Sequence, residues 1–244
     1  MPRYFLELSY KGTNYSGFQK QENANTIQAE VEKAFLILQG QSITLIGSSR
    51  TDAGVHALQN YFHFDYEELH PQFLYKMNAI LPEDIALKKI HILPANAHSR
   101  FDALSRRYEY RIYRKKNPFL QNFALYYPFK LDIQLMEEAA TIVGIKNYFF
   151  PFCKTNTQAK NFNCSVHKSQ WIDKEDSLMY IIEANRFLRG MVRLLTASML
   201  QVGRKKISIE EFNRIFDAQD KCGFSIPSHG LFLTHVNFPN AYFN

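Results

Sequence analysis

The sequence predicts a protein of mixed α and β structure, and three observations carry that expectation. Runs with a two-residue apolar period alternate along the whole chain with stripes at three- and four-residue spacing, the marks of strands and helices. No low-complexity tract, long linker or short repeat interrupts them. The chain also divides near residue 100 into two halves, 1–100 and 101–244, each with strands and helices in a roughly βαβ order. These features fit an α/β or an α+β fold and leave the strand order open.

The elements follow in order. Residues 3–10 alternate as a strand. Asn25 then offers a helix cap with Gln28 three positions on, and Ile27, Val31, Ala34, Phe35 and Leu38 form one apolar stripe that ends at Gly40. Ile43 to Ile46 reads as a short strand, and the run LQNYFHFDY from Leu58 as another. Residues 72–81 look helical, 85–92 extended, and 106–114 extended with a clear two-residue period. Asp132 opens a helix with Ile133, Met136, Ala140 and Val143 on one side, and Gly144 is expected to stop it. A strand over 178–184 leads into a long helix from about Asn185 to Val202. Ser208 and Glu211 form a capping box for a shorter helix, and GLFLTHVNF reads as the final strand.

Composition narrows the function classes. At 244 residues, 46% apolar and 15% aromatic, the chain has the makings of a folded core. No apolar run approaches the length of a membrane span, and MPRYFLELSY lacks a signal-peptide apolar region. Three cysteines, Cys153, Cys164 and Cys222, show no C-x-x-C spacing, so neither a zinc site nor a disulfide framework is expected. A reducing cytoplasm is the expected compartment. The formal charge of +6 permits a polyanionic partner. Its distribution says more: residues 98–116 place eight Arg, Lys or His among four aromatics. Cations track phosphates and aromatic faces stack unpaired bases, which suits flexible RNA; an amphipathic strand with a solvated face is the plainer alternative.

Three groups of residues are candidates for chemistry. In GSSRTDAGVHA, residues 47–57, Asp52 sits at a glycine-bearing turn between two expected strands. Arg50 is placed to pair with it, and an aimed carboxylate can act as nucleophile, base or stabiliser of positive charge at a sugar carbon. An ordinary turn would use the same two residues. His56 lies four positions on, but no further metal ligands are near in sequence. In RRYEYRIYR, Tyr108, Tyr110 and Ile112 share one strand face while Arg107, Glu109 and Arg111 share the other. Tyr108 can stack on a base or handle a proton, or it can simply pack in the core. Lastly, Arg186, Arg189 and Arg193 recur at i, i+3 and i+7 and would make a basic stripe on the expected long helix, facing either an anion or solvent.

Together these stretches resemble a known family. GSSRTDAGVHA resembles the G-R-T-D-A-G-V-H signature of the tRNA pseudouridine synthase A family, which modifies uridines 38 to 40 of the anticodon arm. YFLELSYKGTNYSGFQKQ resembles the family's opening Y-D-G-x-x-Y-x-G-W-Q-x-Q. AHSRFDALSRRYEY, ANRFLRGMVRLL and SHGLFLTHVNF resemble its later H-A-R-F, M-V-R and closing G-L-x-L segments, in the same order. Ser49, Phe18 and Lys11 depart from the usual glycine, tryptophan and aspartate.

The resemblance implies an α+β fold, one extended mixed and mostly antiparallel sheet from two similar halves flanked by helices, around a central basic cleft. The half 1–100 would carry the aspartate loop, and 101–244 the tyrosine strand and the M-V-R helix. By position, Asp52 would attack the target nucleoside and Arg50 would pair with it. Tyr108 would stack on the uracil and assist loss of the C5 proton, and Arg193 would lie beside the aspartate. His98, Arg100, Phe101 and Arg107 would bind substrate. The implied enzyme is a homodimeric isomerase acting on the tRNA anticodon stem-loop, with no cofactor and no metal.

Overall fold

A computed structural model describes residues 1–155 and 159–243. Among them lie nine strands and five α-helices in an α+β arrangement, and no helix is long and apolar enough to cross a membrane. The chain forms two compact units: Met1–Ser105 with Phe232–Asn244, and Arg106–Leu231.

In the first unit, β1 (Arg3–Tyr10) lies between β3 (His56–Asp65) and β4 (Ile85–Leu93), antiparallel to both. The far side of β3 takes β9 (Leu231–Asn237) in parallel, with His56 opposite Phe232 and Ala57 opposite Leu233. The chain's last strand therefore joins the sheet of its first. Helices α1 (Ile27–Gln39) and α2 (Phe73–Ile80) belong to this unit. Phe35 of α1 meets Phe64, Tyr66 and Phe73 edge-on, with ring centres 5.1–5.8 Å apart. Such edge-to-face contact suits the aromatic quadrupole.

Helix α1 is capped by Thr26 rather than by the expected Asn25. The Thr26 hydroxyl accepts the Ala29 N–H at 3.3 Å. Gln28, expected to close a capping box, turns away: its amide donates to Glu32 Oε1 and to the Leu45 carbonyl. Glu32 Oε1 also accepts the Leu45 N–H at 3.1 Å. Side chains of α1 thus satisfy both backbone groups of Leu45. This shortens the strand expected over Ile43–Ile46 to a two-residue β2 (Ile46–Gly47) on β3.

In the second unit, β8 (Ser177–Ala184) runs antiparallel between β5 (Ser105–Tyr113) and β7 (Val166–Lys174), and β6 (Leu125–Tyr126) adds a short parallel pair to β5. Strand β7 escapes a periodicity reading because most of its residues are half-buried or exposed and polar, with Trp171 alone buried. Helix α3 (Ile133–Ile145) begins at the Asp132 cap but runs through Gly144, which takes no left-handed conformation and faces open space. A helical glycine costs about 1 kcal/mol relative to alanine without breaking the helix. Helix α5 (Ile209–Ile215) carries the expected capping box, with Ser208 and Glu211 bonding reciprocally.

The largest departure concerns the expected helix over 185–202. Helix α4 (Met191–Gly203) starts six residues later, after Gly190 at φ +73°. Asn185 is drawn into other bonds: its side-chain oxygen accepts the Ser165 N–H and its carbonyl accepts from Arg106. Arg186 and Arg189 consequently precede the helix, and the expected i, i+3, i+7 basic stripe does not exist; of the three arginines only Arg193 is helical.

Buried polar groups give the first unit a pH dependence. Burial, then the neighbouring His98 and Arg3, push the His63 imidazole down to about 4, against the opposing pull of Asp65 and Asp102. Its Nδ1 accepts the Ser99 N–H at 3.2 Å, a bond that requires that nitrogen unprotonated. The unfolded chain binds this proton near pH 6.5. The stabilisation is therefore fully present above about pH 6.5 and lost as pH falls toward 4, at most about 3 kcal/mol. Thermal unfolding between pH 7 and 4.5 should show a steeper loss of Tm for wild type than for His63→Gln; parallel curves would refute the assignment.

Candidate active site

Strand β2 peels away from β3 just before the aspartate, and the way it does so fixes the site. Ser48 N–H still bonds the Tyr61 carbonyl at 2.8 Å, continuing the ladder by one residue. At the next position the Asn60 side chain replaces the backbone donor, giving its Nδ2 to the Ser49 carbonyl at 3.0 Å. The other wall of the loop is backbone from residues 12–18. Phe18 N–H bonds the Thr51 carbonyl at 3.1 Å, and Gly54 N–H bonds the Tyr15 carbonyl at 3.3 Å. The Asp52 carbonyl accepts the Val55 N–H at 3.1 Å and closes the turn. Asp52 itself is half-buried, at the tip of a loop fastened on both sides.

Close approach of these two walls explains the glycines of the opening segment. A Cβ on Gly12 would collide with the Val55 carbonyl. Gly12 N–H donates to His56 Nδ1 at 3.1 Å, and the His56 ring stacks on Phe232 with centres 4.6 Å apart. His56 thus ties the loop base to its strand neighbours. Among the described residues no three His, Cys, Asp or Glu side chains gather to hold a metal ion. Tyr15 carries the second wall outward through a bond from its hydroxyl to Asp84.

The three departures from the family pattern are accommodated locally. Ser49 is buried and takes no left-handed conformation, so a glycine is not required there. Phe18 stacks on Phe62 at 4.6 Å and fills the space beside Gly47, where a Cβ would strike its ring. Lys11 donates its N–H to the Asp84 carbonyl at 2.9 Å, a bond indifferent to the side chain.

Arg50 is exposed on the same loop. Partial burial and then the like charge of Arg100 hold its guanidinium below the ordinary arginine value. The first unit thus brings Arg50 and Arg100 into one positive field, an arrangement suited to an anion. Arg100 belongs to a tight turn organised by His98, whose Nδ1 accepts the N–H groups of Arg100 and Phe101 at 3.2 and 3.3 Å. Asp102 Oδ2 accepts the His98 N–H and the Tyr242 hydroxyl, each at 2.6 Å. The turn leaves the Phe101 ring 74% exposed, with the Arg100 guanidinium 5.6 Å from its centre. An exposed aromatic beside a cation can accept an unstacked base.

In the second unit, Tyr108 lies on the buried face of β5, opposite Ile182, and meets the Phe187 ring edge-on at 5.1 Å. Arg107 points to the other face, where its Nε and Nη2 bind Glu183 at 2.8 and 2.7 Å. Arg193, in the first turn of α4, donates its Nε to the Ile226 carbonyl at 2.8 Å. Its charge opposes the burial that raises Tyr110. Sequence reasoning missed the residues that hold the first unit's loops, namely Tyr10, Asn60, Asp102 and Tyr242. For Asn60 the signal was an asparagine between LQ and the aromatic run YFHF of an expected strand, where a buried amide must find partners.

The family model for tRNA pseudouridine synthase matches residues 8–102 and 139–239, which include Arg50, Asp52 and Arg193. The chain belongs to the tRNA pseudouridine synthase family. Tyr108 and Arg107 fall between the two matched segments, but full-length relatives span them. A tRNA pseudouridine synthase A from Parabacteroides distasonis is 40% identical, covering 100% of this chain and 98% of its own length. Another from Azobacteroides pseudotrichonymphae is 41% identical over 100% of this chain and 99% of its own. A third, from Syntrophomonas wolfei, is 38% identical over 98% of each. Pseudouridine synthases are isomerases, and the aspartate loop of this family member is held by hydrogen bonds on both flanks.

The contact between Gly12 and Val55 is testable. Gly12→Ala should force the walls of the loop apart and destabilise the protein by about 1–3 kcal/mol. Denaturant unfolding measures this, and an unchanged midpoint would mean that the walls can yield freely.

Proposed function

We propose that the chain isomerises uridine to pseudouridine at positions 38, 39 and 40 of the tRNA anticodon stem-loop, with Asp52 as the attacking carboxylate. The observation that carries this reading is a half-buried aspartate on a doubly fastened loop, in a chain related over its full length to tRNA pseudouridine synthases. The choice of positions rests on the ordered motifs shared with the A family. The same resemblance supports a homodimer, and the cysteine usage supports a reducing cytoplasm.

The reaction breaks the bond between uracil N1 and the sugar C1′, turns the base, and joins C1′ to C5. C5 then loses its proton and N1 ends with one, so atoms and electrons balance without redox chemistry. Asp52 either adds to the sugar at C1′ or removes the 2′ proton to give a glycal. Both routes need an anionic carboxylate held in one direction. Tyr108 stacks on the detached uracil and assists removal of the C5 proton. Arg50 orients Asp52 and, with Arg100 and Arg193, offsets the cost of extruding the nucleotide from its stack, a few kcal/mol. Phe101 and His98 receive neighbouring nucleotides, and Arg107 completes the basic surface.

Substitutions separate these roles. Asp52→Asn should abolish pseudouridine formation in a tritium-release assay on 5-tritiated tRNA while retaining RNA affinity; turnover by this variant would sink the assignment. Release of free uracil instead of pseudouridine would point to a nucleoside hydrolase. Tyr108→Phe should bind normally but slow single turnover by about 10²–10⁴-fold, the usual worth of general acid–base help. A wild-type rate would reduce Tyr108 to a stacking platform.

The basic surface predicts a salt dependence. Affinity for tRNA should fall about 100-fold between roughly 50 and 200 mM salt, as expected for about four phosphate contacts. Filter binding across that range measures it, and a flat response would place the RNA elsewhere.

A further inference from the structure

Asn60 has no place among the residues assigned to the chemistry, yet it is completely buried, and all four of its amide positions are used. Its Oδ1 accepts the Tyr61 N–H at 2.9 Å and the Ser48 hydroxyl at 2.8 Å. Its Nδ2 donates to the Ser49 carbonyl at 3.0 Å and to the Tyr10 hydroxyl oxygen at 3.2 Å. The amide can sit only one way round, because a backbone N–H can only donate and a carbonyl can only accept. Tyr10 extends the set: its hydroxyl shares a 2.8 Å bond with Thr51 Oγ1. Burial raises the Tyr10 phenol far above its ordinary value, so the hydroxyl keeps its proton.

These bonds reach Ser48, Ser49 and Thr51, the residues on either side of Arg50 and immediately before Asp52. Beyond the Ser48 N–H no backbone ladder does so, because β2 ends at Gly47. We infer that Asn60 is a positioning residue for catalysis, acting through Ser49 and through the Tyr10–Thr51 pair to aim the Asp52 carboxylate. The inference rests on the catalytic reading of Asp52 given above. A small error in aim matters because reacting atoms must be held about 3–3.5 Å apart with their orbitals aligned, and a 1 Å misplacement can cost about 100-fold in rate. RNA affinity depends instead on dispersed cations and stacking faces, which this network does not touch.

The role therefore predicts a split between chemistry and binding. Asn60→Asp keeps the shape and both acceptors but removes both donors. With saturating enzyme its single-turnover rate should fall about 100-fold, while tRNA Kd stays within about twofold. Tyr10→Phe removes only the hydroxyl that links Asn60 to Thr51, and it should slow turnover several-fold with the same unchanged Kd. If the buried carboxylate of Asn60→Asp prevents folding, Tyr10→Phe decides alone. Val31→Ala, a buried position of α1 outside the Asn60 network, is the control for general destabilisation and should keep the wild-type rate at a temperature below its Tm. Wild-type rates in the Asn60 and Tyr10 variants would overturn the positioning role. So would a loss that Val31→Ala shares, or one that appears in Kd rather than in rate. An inactive wild type would overturn the catalytic reading and this one with it, whereas an active wild type with unaffected variants overturns the positioning role alone.

Discussion

The segment from Ser48 to Val55 belongs to no strand or helix, yet Ser48, Ser49, Thr51 and Val55 are buried. Buried backbone groups must find partners, and a loop that leaves its ladder has none at hand. The protein meets this constraint from two directions. An amide side chain from β3 takes over where the ladder stops, and the backbone of residues 12–18 closes against the other edge. Much of the surrounding sequence follows from that closure. Gly12 admits the Val55 carbonyl, His56 anchors Gly12, and Phe18 fills the space that Gly47 leaves.

A similar economy holds the turn that presents Arg100 and Phe101. The His98 ring accepts two backbone N–H groups, and Asp102 accepts the His98 N–H and the Tyr242 hydroxyl. Tyr242 is held in turn by ring contacts with Phe5 and Phe238. The C-terminal residues therefore brace a turn far away in sequence. These bonds fix the backbone of the turn, so side chains outside it set where the exposed cation and ring are presented.

Charge is arranged on the same principle. Arg50 is tolerated in the field of Arg100 although that like charge disfavours it. Arg107 and Arg3 form ion pairs with Glu183 and Asp65 at 2.7 Å. Like charges left close together in a folded protein are a cost that an anionic partner removes, and a phosphate backbone is such a partner.

Local signals decided a good part of this molecule. Strand β1, the capping box of α5 and the turn carrying Asp52 were legible because alternation, cap residues and turn residues act over a few positions. Family membership was legible because its motifs are contiguous. Tertiary bonding decided the rest. Gln28 and Glu32 took the backbone of Leu45 and cut β2 short, while Asn185 bonded Ser165 and Arg106 instead of opening a helix. Arg186 and Arg189, periodic on paper, thus stand before α4 rather than on it. Asn60 is the sharpest case. Its residue type announced only that a buried amide needed partners; which groups it would hold depended on where β2 ended, and that was set by side chains of another element. Propensities and caps are properties of neighbouring residues, whereas the competition for a buried hydrogen-bonding group is settled among residues that only folding brings together.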